Sequence, residues 1–189
     1  MAFNVFESTN MGSTKYAERI FDAVATTDIE NGTFGYLDGL ADGESVTYKF
    51  VAGTKTGLKI GDIVVADQPA WDEDTCRITN QRKDKFVIKA GTRFRVRVVK
   101  KNDEFATAIE GFTSATQAAV TAVINFTSTA VYASIDATSG KLVAATTKPT
   151  GVIVGRVMRK RLTGATLVTT AANYGYKRDM YEVKVIEVA

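Results

Sequence analysis

The feature that most constrains this fold is a tight turn that recurs between short segments. Three phrases share one form, in which an aliphatic residue, two further residues and a glycine are followed by Thr or Asp and then by a strand-like segment: Ile29–Thr33, Leu58–Asp62 and Ile88–Thr92. The glycine supplies a positive φ that other residues avoid. Because the intervals are irregular, the phrases do not form a solenoid repeat. They predict short strands joined by tight turns.

Short segments of strand character fill most of the chain after residue 28. We predict strands over Thr33–Leu37, Ser45–Val51, Ile63–Ala66, Phe86–Ile88, Thr92–Lys100, Ala130–Ile135, Leu142–Ala144, Gly151–Lys160, Thr166–Thr169 and Tyr181–Val188. Residues 115–124 fit a short helix and a strand equally well. With two prolines and many glycine turns, the pattern predicts a mainly β fold, either a compact β-barrel or a β-sandwich.

Residues 1–27 follow a different pattern and are predicted to form an N-terminal arm and a short helix. The arm carries apolar anchors at Phe3, Val5 and Phe6. A helix capped by Ser13 or Thr14 is expected to run to about Ala25. Its apolar stripe consists of Tyr16, Ala17, Ile20, Phe21 and Val24. Such a stripe docks either on the chain's own domain or on a neighbouring subunit.

The remaining residues, 28–189, are predicted to form one β-rich domain, and a division into sub-lobes 28–105 and 106–189 stays open. We expect this domain to stay folded when residues 1–25 are deleted. Charge is unevenly distributed along the chain. Residues 1–75 hold 13 acidic and 5 basic residues, a net charge of −8, whereas residues 76–189 hold 8 and 19, a net of +11. This asymmetry predicts complementary surfaces, within an assembly or against a charged partner.

The most basic predicted strand places three arginines on one face. Alternation sends Phe94, Val96 and Val98 to the core face and leaves Arg93, Arg95 and Arg97 on the other, about 7 Å apart. Like charges in register repel, so a compensating group is expected. Three possibilities stay open: a solvated or intramolecularly paired face, an acidic surface of another subunit, and nucleic acid. A second basic group, Arg156, Arg159, Lys160 and Arg161, extends the patch in this interpretation.

Composition excludes several chemistries. Without histidine the chain has no Ser-His-Asp or Cys-His centre and no histidine-ligated metal. Its one cysteine, Cys76, forms no internal disulfide or cysteine cluster. The acidic run Asp72–Asp74 lacks the spacing of a calcium loop and is interpreted as a solvated loop. We expect no enzymatic activity, no cofactor and no metal, and the hydroxyl-rich stretch Gly111–Ile135 argues against a membrane span.

Several segments resemble the glycine-turn strands of tailed-bacteriophage capsid decoration (cement) and head structural proteins. They are Ile29-Glu-Asn-Gly-Thr-Phe-Gly-Tyr-Leu-Asp-Gly, the run from Leu58 to Asp67, and the run from Ser139 to Val157. The resemblance implies a β-rich module that binds the outer surface of an assembled capsid and reinforces contacts between capsomers, without catalysis. It implies the major capsid protein of the same virion as partner, and assembly in the host cytoplasm. It also implies a location on the capsid exterior and a homo-oligomer, with a trimer favoured.

The residues expected at the partner interface are Phe3, Val5, Phe6, Tyr16, Ile20, Phe21, Arg93, Arg95 and Arg97. An alternative function is a basic β-sheet module that binds nucleic acid or assists packaging. Nucleic acid is the less favoured partner, because the basic strand hides its aromatic residue, Phe94, on the opposite face from the arginines and therefore offers no stacking platform. A weaker idea is a carbohydrate-binding head-fibre domain, with Trp71, Tyr174 and Tyr176 lining a sugar surface.

Overall fold

The computed structural model describes residues 3–15, 19–59, 61–69, 83–123, 129–150, 153–163 and 178–188. Within these ranges the strands are β1 Phe6–Asn10, β2 Ile20–Val24, β3 Phe34–Leu40, β4 Tyr48–Ala52, β5 Ile63–Ala66, β6 Arg93–Val98, β7 Glu104–Ala108, β8 Val131–Ile135, β9 Leu142–Ala145, β10 Ile153–Thr163 and β11 Arg178–Val188. The α-helices are α1 Gly12–Lys15 and α2 Gln117–Thr121, and 3-10 turns lie at Ile109–Gly111 and Ser114–Thr116. The predicted mainly β fold is confirmed.

Five strands close into a barrel in the order β2-β4-β3-β5-β6. Closure depends on β2, which pairs in parallel with β4 and antiparallel with β6. Phe50, Val64, Phe94 and Val96 are buried in the barrel interior. The alternation predicted for the basic strand is therefore confirmed on its apolar side.

The strand β2 contradicts the helix predicted to run to about Ala25. The helix α1 is described over Gly12–Lys15 only, and Ile20–Val24 is an extended strand. Apolar residues at four-residue spacing also fall on one face of a short strand, since four is a multiple of the strand period of two. The same spacing therefore fits a helix or a strand, and pairing with β4 and β6 makes this segment a strand. A second correction concerns Phe86–Ile88, where the structure shows an isolated bridge between Ile29 and Ile88 rather than a strand.

The other six strands form an antiparallel sheet in the order β1-β7-β11-β10-β8-β9. One core cluster joins this sheet to the barrel. Phe34 and Val65 from the barrel pack with Phe105, Val131 and Val183 from the sheet. The outer side of β3 and β5 thus packs against one face of the sheet, so the barrel and the sheet share a buried interface.

The repeated glycine turn behaves as predicted. Gly32, Gly61 and Gly91 have φ angles of 79°, 96° and 74°. At Gly61 the nearest group to a Cβ would be Lys100 Nζ, the end of a flexible side chain that can move aside. The turn therefore requires glycine for its backbone conformation.

Candidate functional site

The three arginines predicted to form a row do lie along β6, but their environments differ. Arg93 is exposed, Arg95 is half-buried, and Arg97 is 7% exposed. Arg93 forms an ion pair with Glu44 at 2.5 Å. A row that looks uniform in the sequence therefore runs from solvent into the protein, because its inner end is covered by neighbouring elements.

Asp67 is the carboxylate that compensates the inner two arginines. Arg97 Nε donates a hydrogen bond to Asp67 Oδ2, and Arg95 Nε donates to the Asp67 backbone carbonyl at 3.1 Å. Arg97 Nη1 also donates to the carbonyl of Ser13 at 3.3 Å. Asp67 directly follows β5, the neighbour of β6, so strand pairing delivers the carboxylate to the arginines. The predicted repulsion is offset within the chain.

These residues line a cleft of about 550 Å³ between β1 and the barrel. Glu7 of β1 contributes a second carboxylate and pairs with Arg161 at 2.6 Å and Lys83 at 3.3 Å. Burial by itself raises the pKa of Glu7, but the hydrogen bond from Arg161 and the charge of Lys83 outweigh it and lower that pKa. The cleft is thus lined by charges that neutralise one another, which leaves little unsatisfied charge for a ligand.

The predicted apolar anchors of the arm lie inside the protein. Val5 is 1% exposed and Phe6 is 6% exposed, and Phe6 stacks against Phe105 with ring centroids 5.5 Å apart. Phe3 is half-buried, and its N–H donates to the carbonyl of Asp84 at 2.9 Å. In this structure Val5 and Phe6 pack into the chain's own core, so they add nothing to its outer surface.

Two other predicted interface residues, Ile20 and Phe21, lie at one end of the barrel, where the structure is open. A recess of about 320 Å³, which we call the barrel mouth, is lined there by one residue from each barrel strand (Phe21, Tyr48, Leu37, Val64 and Val98) and by residues between β4 and β5 that include Lys55 and Asp62. Phe21 and Tyr48 meet edge to face at 5.6 Å. The floor residues Val64 and Val98 are buried, whereas the aromatic rings are half-exposed. Small-molecule sites commonly lie in the mouths of β-barrels.

The turn between β3 and β4 projects beside the barrel mouth and exposes apolar side chains. We call residues 40–46 the hairpin tip. Leu40 is 47% exposed and Val46 is 63% exposed. The hairpin is closed by a hydrogen bond from the Ala41 N–H to the Thr47 carbonyl at 2.8 Å, and Leu40 is paired with Tyr48. Large apolar side chains grouped with an open recess are typical of a protein contact surface.

Charged groups surround this apolar end of the barrel. The hydrogen bond from Lys49 lowers the pKa of Asp42, and the hydrogen bond to Asp38 raises the pKa of Lys55. Both ion pairs are largely exposed, with 94% of the Asp42 side chain accessible. Lys100 Nζ lies against Gly61 at the rim, and no ion pair joins Lys100 to a carboxylate in the described ranges. An apolar recess with a charged rim can bind a mixed apolar and charged protein surface.

The sequence predicted Phe21 on a helix, whereas it lies on β2 and lines the barrel mouth, and no site role was predicted for the other residues of the barrel mouth. The signal for the missed residues was weak, because Leu37, Tyr48 and Val98 each look like ordinary strand residues.

The second basic group, which consists of Arg156, Arg159, Lys160 and Arg161, is partly paired with carboxylates of the same chain. Arg159 and Arg161 pair with Glu182, and Lys160 pairs with Asp179.

Several candidates from the sequence lie outside the described residues: Tyr16, Trp71, Asp72–Asp74, Cys76, Thr166–Thr169, Tyr174 and Tyr176. In the part of the chain that is described, no three His, Cys, Asp or Glu side chains are placed to hold a metal ion. No helix in those ranges is long and apolar enough to cross a membrane. Comparison of the chain with protein-family models, curated proteins and solved structures found no match.

Proposed function

We propose that this protein is a structural component of a tailed-phage particle that binds the outer surface of the assembled capsid and reinforces contacts between capsomers. The observation that carries the proposal is the open end of the barrel, where the hairpin tip and the barrel mouth expose apolar side chains. Such a surface suits burial against protein. The protein acts by contact and carries out no catalysis in this proposal.

The charge arrangement favours a protein partner over nucleic acid. Arg93, Arg95 and Arg97 each have a carboxylate partner in the chain itself. Binding a phosphate backbone would have to compete with these pairs, and the buried Arg97 could not reach it without breaking its contact with Asp67. Phe94, the aromatic residue of the same strand, is buried in the barrel and offers no base a stacking surface.

The segments that resemble phage head proteins supply strands of both β units. The first contains all of β3 except Leu40, the second contains β5, and the third contains β9 and the start of β10. The first two segments therefore lie in the barrel and the third in the sheet.

The proposal is tested with shells assembled from the major capsid protein encoded in the same genome. Purified protein is mixed with shells and sedimented through a density gradient, and the thermal disruption of decorated and bare shells is compared. We expect saturable co-sedimentation and a higher disruption temperature for decorated shells. Protein that stays at the top of the gradient at saturating excess overturns the proposal.

A salt titration of binding to single-stranded and duplex DNA distinguishes the nucleic-acid alternative from the proposed capsid binding. Sub-micromolar binding that weakens steeply with salt would favour that alternative, because such binding releases counterions from the phosphates. We expect no measurable binding near physiological salt. Arg93→Gln is a useful comparison, since Arg93 is the most exposed member of the row and its loss would weaken any phosphate contact first.

A further inference from the structure

A single row of residues crosses the outer face of the sheet, which is the face turned away from the barrel. Its members lie directly opposite one another on all six strands, in the order Asn10, Glu104, Lys184, Arg156, Tyr132 and Ala145. Their sequence neighbours Phe105, Val157 and Val183 are buried in the core that the sheet shares with the barrel. Because side chains alternate along a strand, the row faces outward. The Lys184 and Glu104 side chains are 36% and 39% exposed, so a partner can reach the row.

The centre of this row places two cations side by side. Arg156 of β10 lies directly opposite Lys184 of β11, and the Cβ atoms of such a pair are about 5 Å apart, so the two charges repel. Lys184 Nζ is paired with Glu104 Oε1 at 2.9 Å. Arg156 is half-buried, and none of the described carboxylates pairs with it. The row therefore holds a guanidinium in an unfavourable position without a compensating group in the described part of the chain.

The carboxylates on the neighbouring strands are already in use. On β7 and β11 the described carboxylates of this face are Glu104 and Glu182. Glu104 pairs with Lys184, and Glu182 pairs with Arg159 at 2.5 Å. Moving either carboxylate to Arg156 would break an existing ion pair. An acid that neutralises Arg156 without this cost has to come from another molecule.

We propose that Arg156 is the centre of a second docking surface, which binds a carboxylate of an acidic segment on the major capsid protein. An arginine guanidinium can pair with a carboxylate through two parallel hydrogen bonds. Lys184 has N–H donors beyond the one that Glu104 accepts, and the Tyr132 hydroxyl is a further donor on the other side of Arg156. The inference rests on the proposed function, because a protein that joins two capsomers needs two contact surfaces. The barrel end supplies one, and the outer face of the sheet supplies the other.

An acidic protein segment fits this face better than nucleic acid does. A phosphate backbone carries closely spaced charges, and its affinity comes from neutralising several of them at once. On this face Glu104 and Glu182 lie among the cations and would repel such a backbone. One guanidinium without a partner suits one carboxylate, which a protein can place singly.

The first test uses the isolated full-length chain and a hexaglutamate peptide, with binding followed by NMR shifts. We expect salt-sensitive shifts concentrated at Tyr132, Arg156 and Lys184. Arg156→Gln is expected to weaken peptide binding by about fivefold or more, because it removes the bidentate donor. The matched control is Arg159→Gln on the same strand, whose arginine is already paired with Glu182, and it is expected to bind the peptide nearly like the wild type.

A second variant is expected to change binding in the opposite direction. Glu104→Gln releases the Lys184 ammonium from its partner, so the peptide is expected to bind about threefold more tightly. Urea unfolding checks that Arg156 has no structural role. Because Arg156→Gln removes one member of a like-charged pair, its urea midpoint is expected to equal or exceed that of the wild type. A lower midpoint, or no tightening by Glu104→Gln, overturns the assignment of Arg156 as a binding residue.

The same face is then tested with capsid shells. Arg156→Glu is expected to weaken co-sedimentation with shells by about tenfold, and Arg159→Glu to weaken it much less. Equal loss in the two variants overturns the inference, as does equal binding of the peptide by the wild type and Arg156→Gln. An oligothymidylate that binds this face more tightly than the peptide overturns the acidic protein partner in favour of nucleic acid. The peptide measurements contain no shells, so they can fail or succeed independently of the proposed function.

Discussion

The side of the barrel that faces β1 and the open barrel end differ in which side chains they bury and which they expose. On the side facing β1, charged groups enter the protein, and Arg97 and Asp67 form an ion pair with only 9% and 15% of their side chains exposed. At the barrel end, apolar side chains reach the surface, with Phe21 and Tyr48 half-buried at the barrel mouth and Val46 of the hairpin tip 63% exposed. The comparison teaches that the inner arginines of the basic strand, Arg95 and Arg97, are paired with a carboxylate of the same chain. What remains available for a partner at the barrel is apolar.

The largest expected effect comes from removing the two N-terminal strands, β1 and β2. Deletion of residues 1–25 removes β1 and also β2, which pairs with both β4 and β6. We expect the truncated chain to lose cooperative unfolding, because an opened barrel exposes its core and two strand edges. Circular dichroism and urea unfolding measure this. A cooperative transition with native β signal would restore the sequence-based expectation that the arm is separable.

Removing one carboxylate from the side facing β1 and one from the barrel end tests whether burial makes an ion pair contribute more to stability. Asp67→Ala leaves two arginines without their common partner, and breaking a buried pair costs about 3–5 kcal/mol. Asp38→Ala removes the partner of Lys55 near the barrel end, where both side chains are about half exposed. Surface pairs contribute little, so this second variant is expected to unfold at nearly the wild-type urea midpoint. Equal losses of stability in the two variants would contradict the comparison.

The acid dependence of stability is a finer test of the closed side. Because the pKa of Glu7 is held below its ordinary value of 4.5, its carboxylate stabilises the fold above that pH, and the contribution is lost as pH falls through the folded-state pKa. Glu7→Gln is therefore expected to lower stability at pH 7 and to flatten the decline below pH 4.5. Urea unfolding at pH 7 and pH 3 checks it. An unchanged decline on acidification would assign the acid sensitivity to other carboxylates.

The smallest expected effect is on the stability of the open side. Leu40→Ser/Val46→Ser alters side chains that already face solvent, so the free energy of unfolding is expected to change by no more than about 0.5 kcal/mol per site. Thermal unfolding measures this, and Leu162→Ser, which changes a leucine of β10 that is 54% exposed, is the matched control. A loss of several kcal/mol would mean that the hairpin tip packs in the monomer, which contradicts its exposure.

The charge asymmetry illustrates what the sequence could and could not predict. From it we predicted complementary surfaces within an assembly or against a charged partner. In the structure, acidic and basic residues from the two halves pair within one chain, through Lys89 with Asp28, Arg93 with Glu44 and Lys141 with Glu30. Composition contains the signs of the charges but not the distances between residues far apart in sequence, so the pairing partners emerged only from the fold.

The sequence alone determined the local features of this protein. The glycine turns at residues 32, 61 and 91 and the inward alternation of Phe94, Val96 and Val98 follow from backbone sterics and the strand period, which act over a few residues. Tertiary structure decided three other points: that Ile20–Val24 is a barrel strand, that Val5 and Phe6 are buried, and that the barrel end is open. These depend on strand pairing and packing between segments distant in the chain, which no local pattern records.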